Sequence, residues 1–162
     1  MNTGQRRTLW LVSLLWLAAC SAPPAVPPRH DGARANDPRG NDVALYALGL
    51  LDTTYRWGGR GPATGFDCSG LVSHVFREAT GLRIQGSSAE LARQARAVSR
   101  EHLQAGDLVF FNTLGTAHSH VGVYVGRGRF VHASNPRTGV RVDSLDNRYY
   151  AERFEGAGSL LD

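Results

Sequence analysis

The segment GFDCSGLVSHVFREATG, residues 65–81, combines a glycine, a cysteine and the pattern of an amphipathic helix. Its apolar side chains fall on one face of such a helix: Leu71, Val72, Val75, Phe76 and Ala79. Gly81 follows them, and glycine tolerates the left-handed conformation of a helix C-cap. The segment therefore predicts a helix over residues 68–80 with Cys68 in its first turn.

Two further helices are predicted on either side of this one. Residues 42–51 carry an apolar face, and Asn41 or Asp42 is expected to cap its start. The glycine-rich residues 57–65 are expected to form a loop. Residues 87–97 predict a helix that begins at a serine cap.

The pattern changes after Gly106 to short runs of β-branched and aromatic residues, which are typical of strands. The predicted strands span residues 108–111, 121–125, 130–134, 140–142 and 157–161. Helices followed by consecutive short strands predict an α+β domain, in which N-terminal helices pack on a C-terminal antiparallel sheet.

The predicted hairpin around Gly128 determines whether two histidines can meet. A three-residue loop, 126–128, with a glycine bulge would place His132 opposite Gly122 and project His120 and His132 from one face. A two-residue loop would instead place the two histidines on opposite faces. The register is therefore a test of any chemistry that uses both.

The N-terminal segment has the features of an export signal. Arg6 and Arg7 precede the apolar run LWLVSLLWLAA, residues 9–19, which is shorter than the roughly 18 residues that a membrane span requires. The run ends in LAAC, which resembles the lipobox of bacterial lipoproteins, where the cysteine, here Cys20, becomes the lipidated first residue. We expect residues 1–19 to be a lipoprotein signal peptide, with an ordinary signal peptide as the alternative.

Residues 20–41 are expected to be the lipidated cysteine and a flexible tether. They contain five of the seven prolines and no aromatic residue, so they cannot bury enough apolar surface to offset the entropy of ordering. The residue after the cysteine is Ser21, and in this respect the chain resembles lipoproteins that reach the outer membrane. The expected location is therefore the outer membrane, with the domain on its periplasmic side. Residues 42–162 are expected to form one domain and a monomer.

The charge pattern excludes two classes of function. All 18 basic residues are arginine, and because a guanidinium is not deprotonated in proteins, lysine-type Schiff-base chemistry is excluded. The formal charge is +4, and without Arg6 and Arg7 it is +2. Nucleic-acid binding requires a clustered basic face, which the scattered arginines do not predict.

Cys68 is the one thiol of the predicted domain. A helix start carries partial positive charge and free N–H groups that favour the thiolate, and a neighbouring imidazole would accept its proton. The cysteine and histidine spacings lack the paired patterns of zinc sites, so neither a metal nor another cofactor is expected. An inert buried cysteine is the alternative, and His74 and His102 are expected on helix surfaces.

Five blocks occur in chain order: YRWGG (55–59), GFDCSGL (65–71), GDLVFFN (106–112), SHVGVYVG (119–126) and RFVHAS (129–134). Together they resemble the NlpC-type family of papain-like cysteine peptidases, which act on bacterial cell-wall peptides. The resemblance covers nearly all of residues 42–161. It implies that Cys68 is the nucleophile, His120 the general base and then acid, and His132 the residue that orients His120.

The resemblance also implies roles for residues near the nucleophile. Tyr55 matches a tyrosine whose hydroxyl helps to form the oxyanion site with the Cys68 backbone N–H. Further matches imply contacts with substrate: Asp67, Ser69, Ser87 and Ser88. Trp57 is expected either to line the cleft or to pack beside the glycines.

The function implied by this resemblance is hydrolysis of peptidoglycan stem peptides. The bond would be either a D-Ala–diaminopimelate cross-link or D-Glu–diaminopimelate, and outer-membrane lipoproteins with a single catalytic domain resemble the cross-link endopeptidases. The alternatives are a papain-like amidase or acyltransferase, and a catalytically silent lipoprotein that binds the envelope. The expected partners are stem peptides and, through Cys20, a membrane.

Overall fold

The computed structural model describes residues 37–161 of the chain. The predicted signal peptide, the predicted lipidation site at Cys20 and all but the end of the predicted tether lie outside these residues. Within residues 37–161, no helix is long and apolar enough to cross a membrane.

Four α-helices and eight strands make up the described part of the chain. The helices are α1 (Pro38–Leu48), α2 (Cys68–Thr80), α3 (Ser88–Gln94) and α4 (Arg148–Ala151). The strands are β1 (Arg60–Gly61), β2 (Gly65–Phe66), β3 (Arg96–Val98), β4 (Leu108–Phe111), β5 (His120–Gly126), β6 (Arg129–Asn135), β7 (Gly139–Ser144) and β8 (Phe154–Ser159). Strands β3 to β8 form an antiparallel six-stranded sheet in the order β3-β8-β4-β5-β6-β7, while β1 and β2 pair separately within the segment predicted as a loop.

Two clusters of buried side chains cover the two faces of the sheet. The larger cluster joins the helices to the sheet and includes Val43, Leu71, Val75, Phe76, Phe110 and Val121. The second contains the alternate residues of the strands together with α4: Val109, Phe111, Phe130, Leu145 and Tyr150. Successive side chains of a strand point to opposite faces, so the sheet is buried on both sides and the predicted α+β arrangement is confirmed.

Helix α2 has the predicted bounds. It begins at Cys68 and ends at Thr80, and Gly81 caps it in the left-handed conformation with φ 76°. Its apolar face lies in the larger cluster, where burial of each large apolar side chain contributes about 1.5–3 kcal/mol. The local pattern and the packing of this helix therefore agree.

Helix α1 begins four residues earlier than predicted, because its N-cap is Asp37. The Asp37 carboxylate accepts a hydrogen bond of 2.9 Å from the backbone N–H of Arg39. The proline between them occupies the first turn, where a missing N–H breaks no helical hydrogen bond. The prediction of a cap at Asn41 or Asp42 is wrong, and the last residues assigned to the tether belong to the helix.

Helix α3 ends at Gln94, one turn before the predicted end. Ala95 is extended, and the next residues form β3, whose Ala97 pairs with Gly158 of β8. A Cβ at Gly158 would lie 2.7 Å from the Ala95 side chain, so glycine permits the close approach of the two strands. The helix prediction is wrong here because this pairing is made with a distant part of the chain.

The β5–β6 hairpin has the predicted register but a different loop. Tyr124 pairs with Phe130, as the predicted register requires. The loop has two residues, Arg127 and Gly128, with φ angles of 53° and 69°, and a bulge directly after Tyr124 takes up the extra residue. We expected a two-residue loop to place the two histidines on opposite faces. It does not, because the bulge restores the predicted register.

We expect Gly70→Ala to unfold the start of α2. A Cβ at Gly70 would overlap the carbonyl oxygen of Gly59, and overpacking against backbone costs about 3 kcal/mol, the upper end of its usual range. The measurement is the free energy of unfolding by denaturant. Gly61→Ala is the matched control, since its nearest neighbour, Thr64, is 3.7 Å away; equal stability of the two variants would contradict the prediction.

Candidate active site

The carboxylate of Asp67 joins the start of α2 to the glycine-rich loop. Its Oδ1 accepts hydrogen bonds from the Gly70 backbone N–H at 2.6 Å and the Ser69 hydroxyl at 3.1 Å, and its Oδ2 accepts one from the Gly58 N–H at 2.9 Å. The first of these bonds is an N-cap of the helix. Asp67 therefore fixes the position of Cys68 relative to the loop before it.

A cleft of about 240 Å³ opens beside Cys68. It is lined by nearly all the residues that the sequence singled out: Tyr55, Trp57, Asp67, Cys68, Ser69, Ser87, Ser88 and His120. Trp57 is 78% exposed, so it lines the cleft rather than packing beside the glycines. The cleft is completed by residues that the sequence did not single out: Thr113, Leu114, Ser119 and Ser134.

The groove continues on the other side of His120. A second cavity of about 270 Å³ shares His120, Leu114 and Ser134 with the cleft and extends to Tyr149 and Tyr150. Leu114 belongs to the rim between the two cavities and is 64% exposed. An extended chain could therefore occupy the groove on both sides of the imidazole.

His132 lies behind His120, away from the cleft lining. The Nε2 atom of His120 and the Nδ1 atom of His132 are 2.7 Å apart, and the residues are 8% and 0% exposed. The ring of His132 packs against the rings of Phe130 and Tyr150, which also contact each other, in the second cluster. The two histidines therefore meet on one face of the sheet, as the predicted register required.

Asp143, which no sequence pattern indicated, lies beyond His132 on the side away from His120. Its Oδ2 is 2.9 Å from Nε2 of His132, and Arg141 forms an ion pair with it at 3.0 Å. His132 pairs with Arg141 across β6 and β7, and Asp143 follows two positions later on the same face. The signal was therefore the register of β6 against β7, which the sequence alone did not define.

Burial keeps the thiol and the imidazole neutral in the resting cleft. Burial raises the pKa of Cys68 to about 11, against the opposing effect of backbone N–H groups, of which that of Val121 is the strongest. Burial also lowers the pKa of His120 well below its ordinary value, and His132 lowers it further. The helix start acts in the expected direction, since the backbone N–H groups of Cys68 and Ser69 lower the pKa of the thiol, but desolvation exceeds their effect.

Tyr55 borders the cleft with its phenol in the protonated form. Burial raises its pKa first, and the neighbouring Cys68 and Asp67 raise it further. The backbone of Tyr55 bridges to Phe66, directly before the start of α2. The hydroxyl is therefore a hydrogen-bond donor in a residue that lines the same cleft as Cys68.

The serines at the start of α3 differ in their surroundings. Ser87 caps the helix and shares a hydrogen-bonding box with Glu90. The hydroxyl of Ser88 is buried in the cleft wall without a hydrogen-bond partner among the described residues. Of the two histidines expected on helix surfaces, His102 is exposed, but His74 is 7% exposed because it packs against the Phe66 ring.

The free energy of unfolding should decrease as pH falls from 7 to 5. Burial lowers the pKa values of His120 and His132 in the folded chain, so below about 6.5 the unfolded chain binds protons that the folded chain does not. Each histidine then contributes a slope of up to about 1.4 kcal/mol per pH unit. Denaturant unfolding of His120→Gln should show a smaller dependence of the unfolding free energy on pH than the parent. The matched control, His102→Gln at an exposed position, should show the same dependence as the parent. An unchanged dependence in His120→Gln would contradict the prediction.

Comparisons with known proteins agree with this geometry. The model of the NlpC/P60 family matches residues 52–159. The murein DD-endopeptidase MepH of Escherichia coli (strain K12) is 40% identical over 137 residues, which are 81% of this chain and 50% of that protein. From the same strain, the murein DD-endopeptidase MepS/murein LD-carboxypeptidase is 41% identical over 107 residues, 66% of this chain and 55% of that protein.

A solved structure shares the fold. The NlpC/p60 domain of the peptidoglycan hydrolase SagA superposes with a TM-score of 0.65 at 32% identity, covering 75% of this chain and 98% of that domain. The chain spans about half the length of the curated relatives named above. The family model covers more than half of the chain, and the chain therefore belongs to the NlpC/P60 family.

Proposed function

We propose that the protein is a peptidoglycan endopeptidase that cuts stem peptides by a thiol mechanism. The observation that carries the proposal is one cleft that contains Cys68 and His120, with His132 hydrogen-bonded behind the imidazole at 2.7 Å. The relatives named murein DD-endopeptidases supply the substrate class. A catalytically silent relative would lack a reason to retain all three side chains in this arrangement.

The proposed reaction begins with a neutral thiol and a neutral imidazole. Nε2 of His120 faces His132, so Nδ1 is the ring nitrogen left to accept the Cys68 proton as sulfur attacks the peptide carbonyl. The backbone N–H of Cys68 and the hydroxyl of Tyr55 donate to the oxyanion. His120 then protonates the leaving amine, and water hydrolyses the acyl-enzyme with the same imidazole as base.

The proposed substrate contacts lie along the cleft wall. Ser88 offers a buried hydroxyl without a partner among the described residues, and Trp57 offers an exposed ring. Ser69 and Ser87 border the same space. The carboxylate of Asp67 already accepts three hydrogen bonds, so we propose that it acts on substrate chiefly by holding Ser69 and the loop.

The bond that we propose first is the D-Ala–diaminopimelate cross-link. A cross-link joins two peptides, and the groove continues on both sides of His120. Both relatives are named murein DD-endopeptidases, which also supports this bond. Cleavage of D-Glu–diaminopimelate is the second candidate, because the same thiol chemistry applies to that bond with a different acyl group on sulfur. Transfer to an amine instead of water is the third, because an amine can attack the same acyl-enzyme that water hydrolyses.

We further propose that lipid on Cys20 anchors the protein to the outer membrane, with the domain in the periplasm. The support is the LAAC sequence and the serine after it. Several acyl chains together hold a soluble domain on a bilayer, since each buried CH₂ contributes about 0.8 kcal/mol. The proline-rich residues that follow would allow the cleft to reach the wall.

The two cysteines of the chain provide a matched pair of variants. The full chain should release new muropeptides from purified sacculi, Cys68→Ser should release none, and Cys20→Ser should release as much as the unchanged chain. In cells, Cys20→Ser alone should move the protein from the membrane fraction to the soluble fraction. Mass spectrometry of the muropeptides identifies the bond.

Two outcomes would overturn these proposals separately. Equal products from Cys68→Ser and the unchanged chain would exclude the thiol mechanism. A membrane fraction that retains Cys20→Ser would exclude the anchor and leave the enzymatic proposal standing.

A further inference from the structure

We propose that Asp143 is a positioning residue of this mechanism, which acts through His132 to determine which ring nitrogen of His120 carries the proton. The inference rests on the proposed function for its kinetic consequences. Its structural basis is a line of three side chains from adjacent strands: His120 on β5, His132 on β6 and Asp143 on β7.

The distances define hydrogen bonds along the whole line. Nε2 of His120 lies 2.7 Å from Nδ1 of His132, and Nε2 of His132 lies 2.9 Å from Oδ2 of Asp143. The side chains of His132 and Asp143 are 0% and 11% exposed, so water does not compete freely for these bonds. Burial alone would raise the pKa of Asp143, but the hydrogen bond from His132 and the charge of Arg141 hold it below its usual value.

The ionised carboxylate sets both tautomers. It only accepts hydrogen bonds, so Nε2 of His132 must carry the proton that it donates to Asp143. In a neutral imidazole Nδ1 of His132 is then an acceptor, and Nε2 of His120 must donate to it. The proton of neutral His120 is therefore on Nε2, and the free electron pair of Nδ1 is available to the Cys68 thiol.

The same line stabilises the charge that forms when His120 takes the thiol proton. Asp143 favours positive charge on His132, and Arg141 opposes it. The other titratable groups around the line are the Cys68 thiol in the cleft and the hydroxyl of Tyr150 on α4, which is 3.4 Å from Nε2 of His132. Tyr150 is the competing partner, but its contact is longer than that of the carboxylate.

Asp143→Asn should reverse the tautomers of His132 and His120 with little change in the shape of the side chain at position 143. Arg141 donates to both carboxylate oxygens, so the single amide oxygen of asparagine would pair with Arg141 and turn its NH₂ group toward His132. Nε2 of His132 would then accept, and Nδ1 would carry the proton toward His120. The proton of His120 would be forced to Nδ1, where it blocks acceptance from the thiol.

The first test is kinetic and uses a soluble muropeptide with the full chain carrying Cys20→Ser. Asp143→Asn should lower kcat by about 10²-fold, the low end of what a general base contributes, with KM little changed. Asp143→Glu, which retains an accepting carboxylate, should restore part of kcat. Asp146→Asn, which changes an aspartate three residues further along whose side chain is 81% exposed, should leave kcat within a few-fold of the parent.

The pH profile separates positioning from a merely structural role. Activity is lost at low pH, where His120 is protonated before the reaction, and this loss defines the acid limb of the pH profile. Asp143→Asn removes a negative charge, which lowers the pKa of the histidines and should move the acid limb to lower pH. Arg141→Gln removes a positive charge and should move the acid limb to higher pH. A structural defect would lower activity in both variants without opposite shifts.

The second test does not depend on turnover. Nitrogen NMR of the ¹⁵N-labelled chain distinguishes protonated from unprotonated ring nitrogens, with His120→Gln and His132→Gln used to assign the signals. We expect a proton on Nε2 of both histidines in the parent and on Nδ1 of both in Asp143→Asn. Unchanged tautomers together with unchanged kcat in a folded Asp143→Asn would overturn the inference.

The two proposals can fail independently. A parent chain that leaves all muropeptides intact would refute the proposed function, while the tautomers would still test the role of Asp143. If Asp143→Asn does not fold, the parent spectrum decides, since a proton on Nδ1 of His132 would overturn the inference.

Discussion

The hydrogen bond between His120 and His132 is the contact on which the arrangement of the cleft depends. It requires the two side chains to leave neighbouring strands on the same face, and hence one particular register of β5 and β6. Gly122 contributes to this close pairing, because a Cβ there would lie 2.6 Å from the Phe130 ring and 3.3 Å from the Cβ of His132. The bulge after Tyr124 preserves the register despite the short loop.

The second requirement is that α2 presents its thiol to the imidazole. The hydrogen bonds of Asp67 hold the first turn of α2 against the glycine-rich loop, and the apolar face of α2 packs on the sheet. Cys68 is the first residue of α2 and His120 the first residue of β5, so the cleft lies where the start of the helix meets the start of that strand. Their packing makes the site dry enough to keep both groups neutral.

Most of the fold could be predicted from local patterns. The bounds of α2 and β4 follow from periodicity and from the glycines beside them, and these bounds are correct. The errors arise where the conformation depends on remote partners, as at β3, or where a helix start lies within a proline-rich segment, as at Asp37. Sequence patterns contain little information on such pairings.

The sequence predicted the residues of the cleft better than it predicted their more distant partners or their pKa values. The residues that border Cys68 follow from the sequence blocks around Tyr55 and Cys68, and the structure brings them into one cleft. Asp143 could not be found, because its contact with His132 depends on the register of β7 against β6. The raised pKa of Cys68 could not be found either, because it results from burial and a helix start alone suggests the opposite sign.

The thiol of Cys68 and the imidazole of His120 are both neutral until substrate arrives, because burial raises the pKa of the first and lowers that of the second. The most direct measurement is the rate of alkylation of Cys68 by iodoacetamide as a function of pH, in the full chain carrying Cys20→Ser so that one thiol remains. Only the thiolate reacts, so we expect a rate that is low at neutral pH and still rising above pH 9, consistent with a pKa of about 11 for Cys68. A rate that reaches its plateau below pH 7 would show a thiolate–imidazolium pair at rest and would contradict the account.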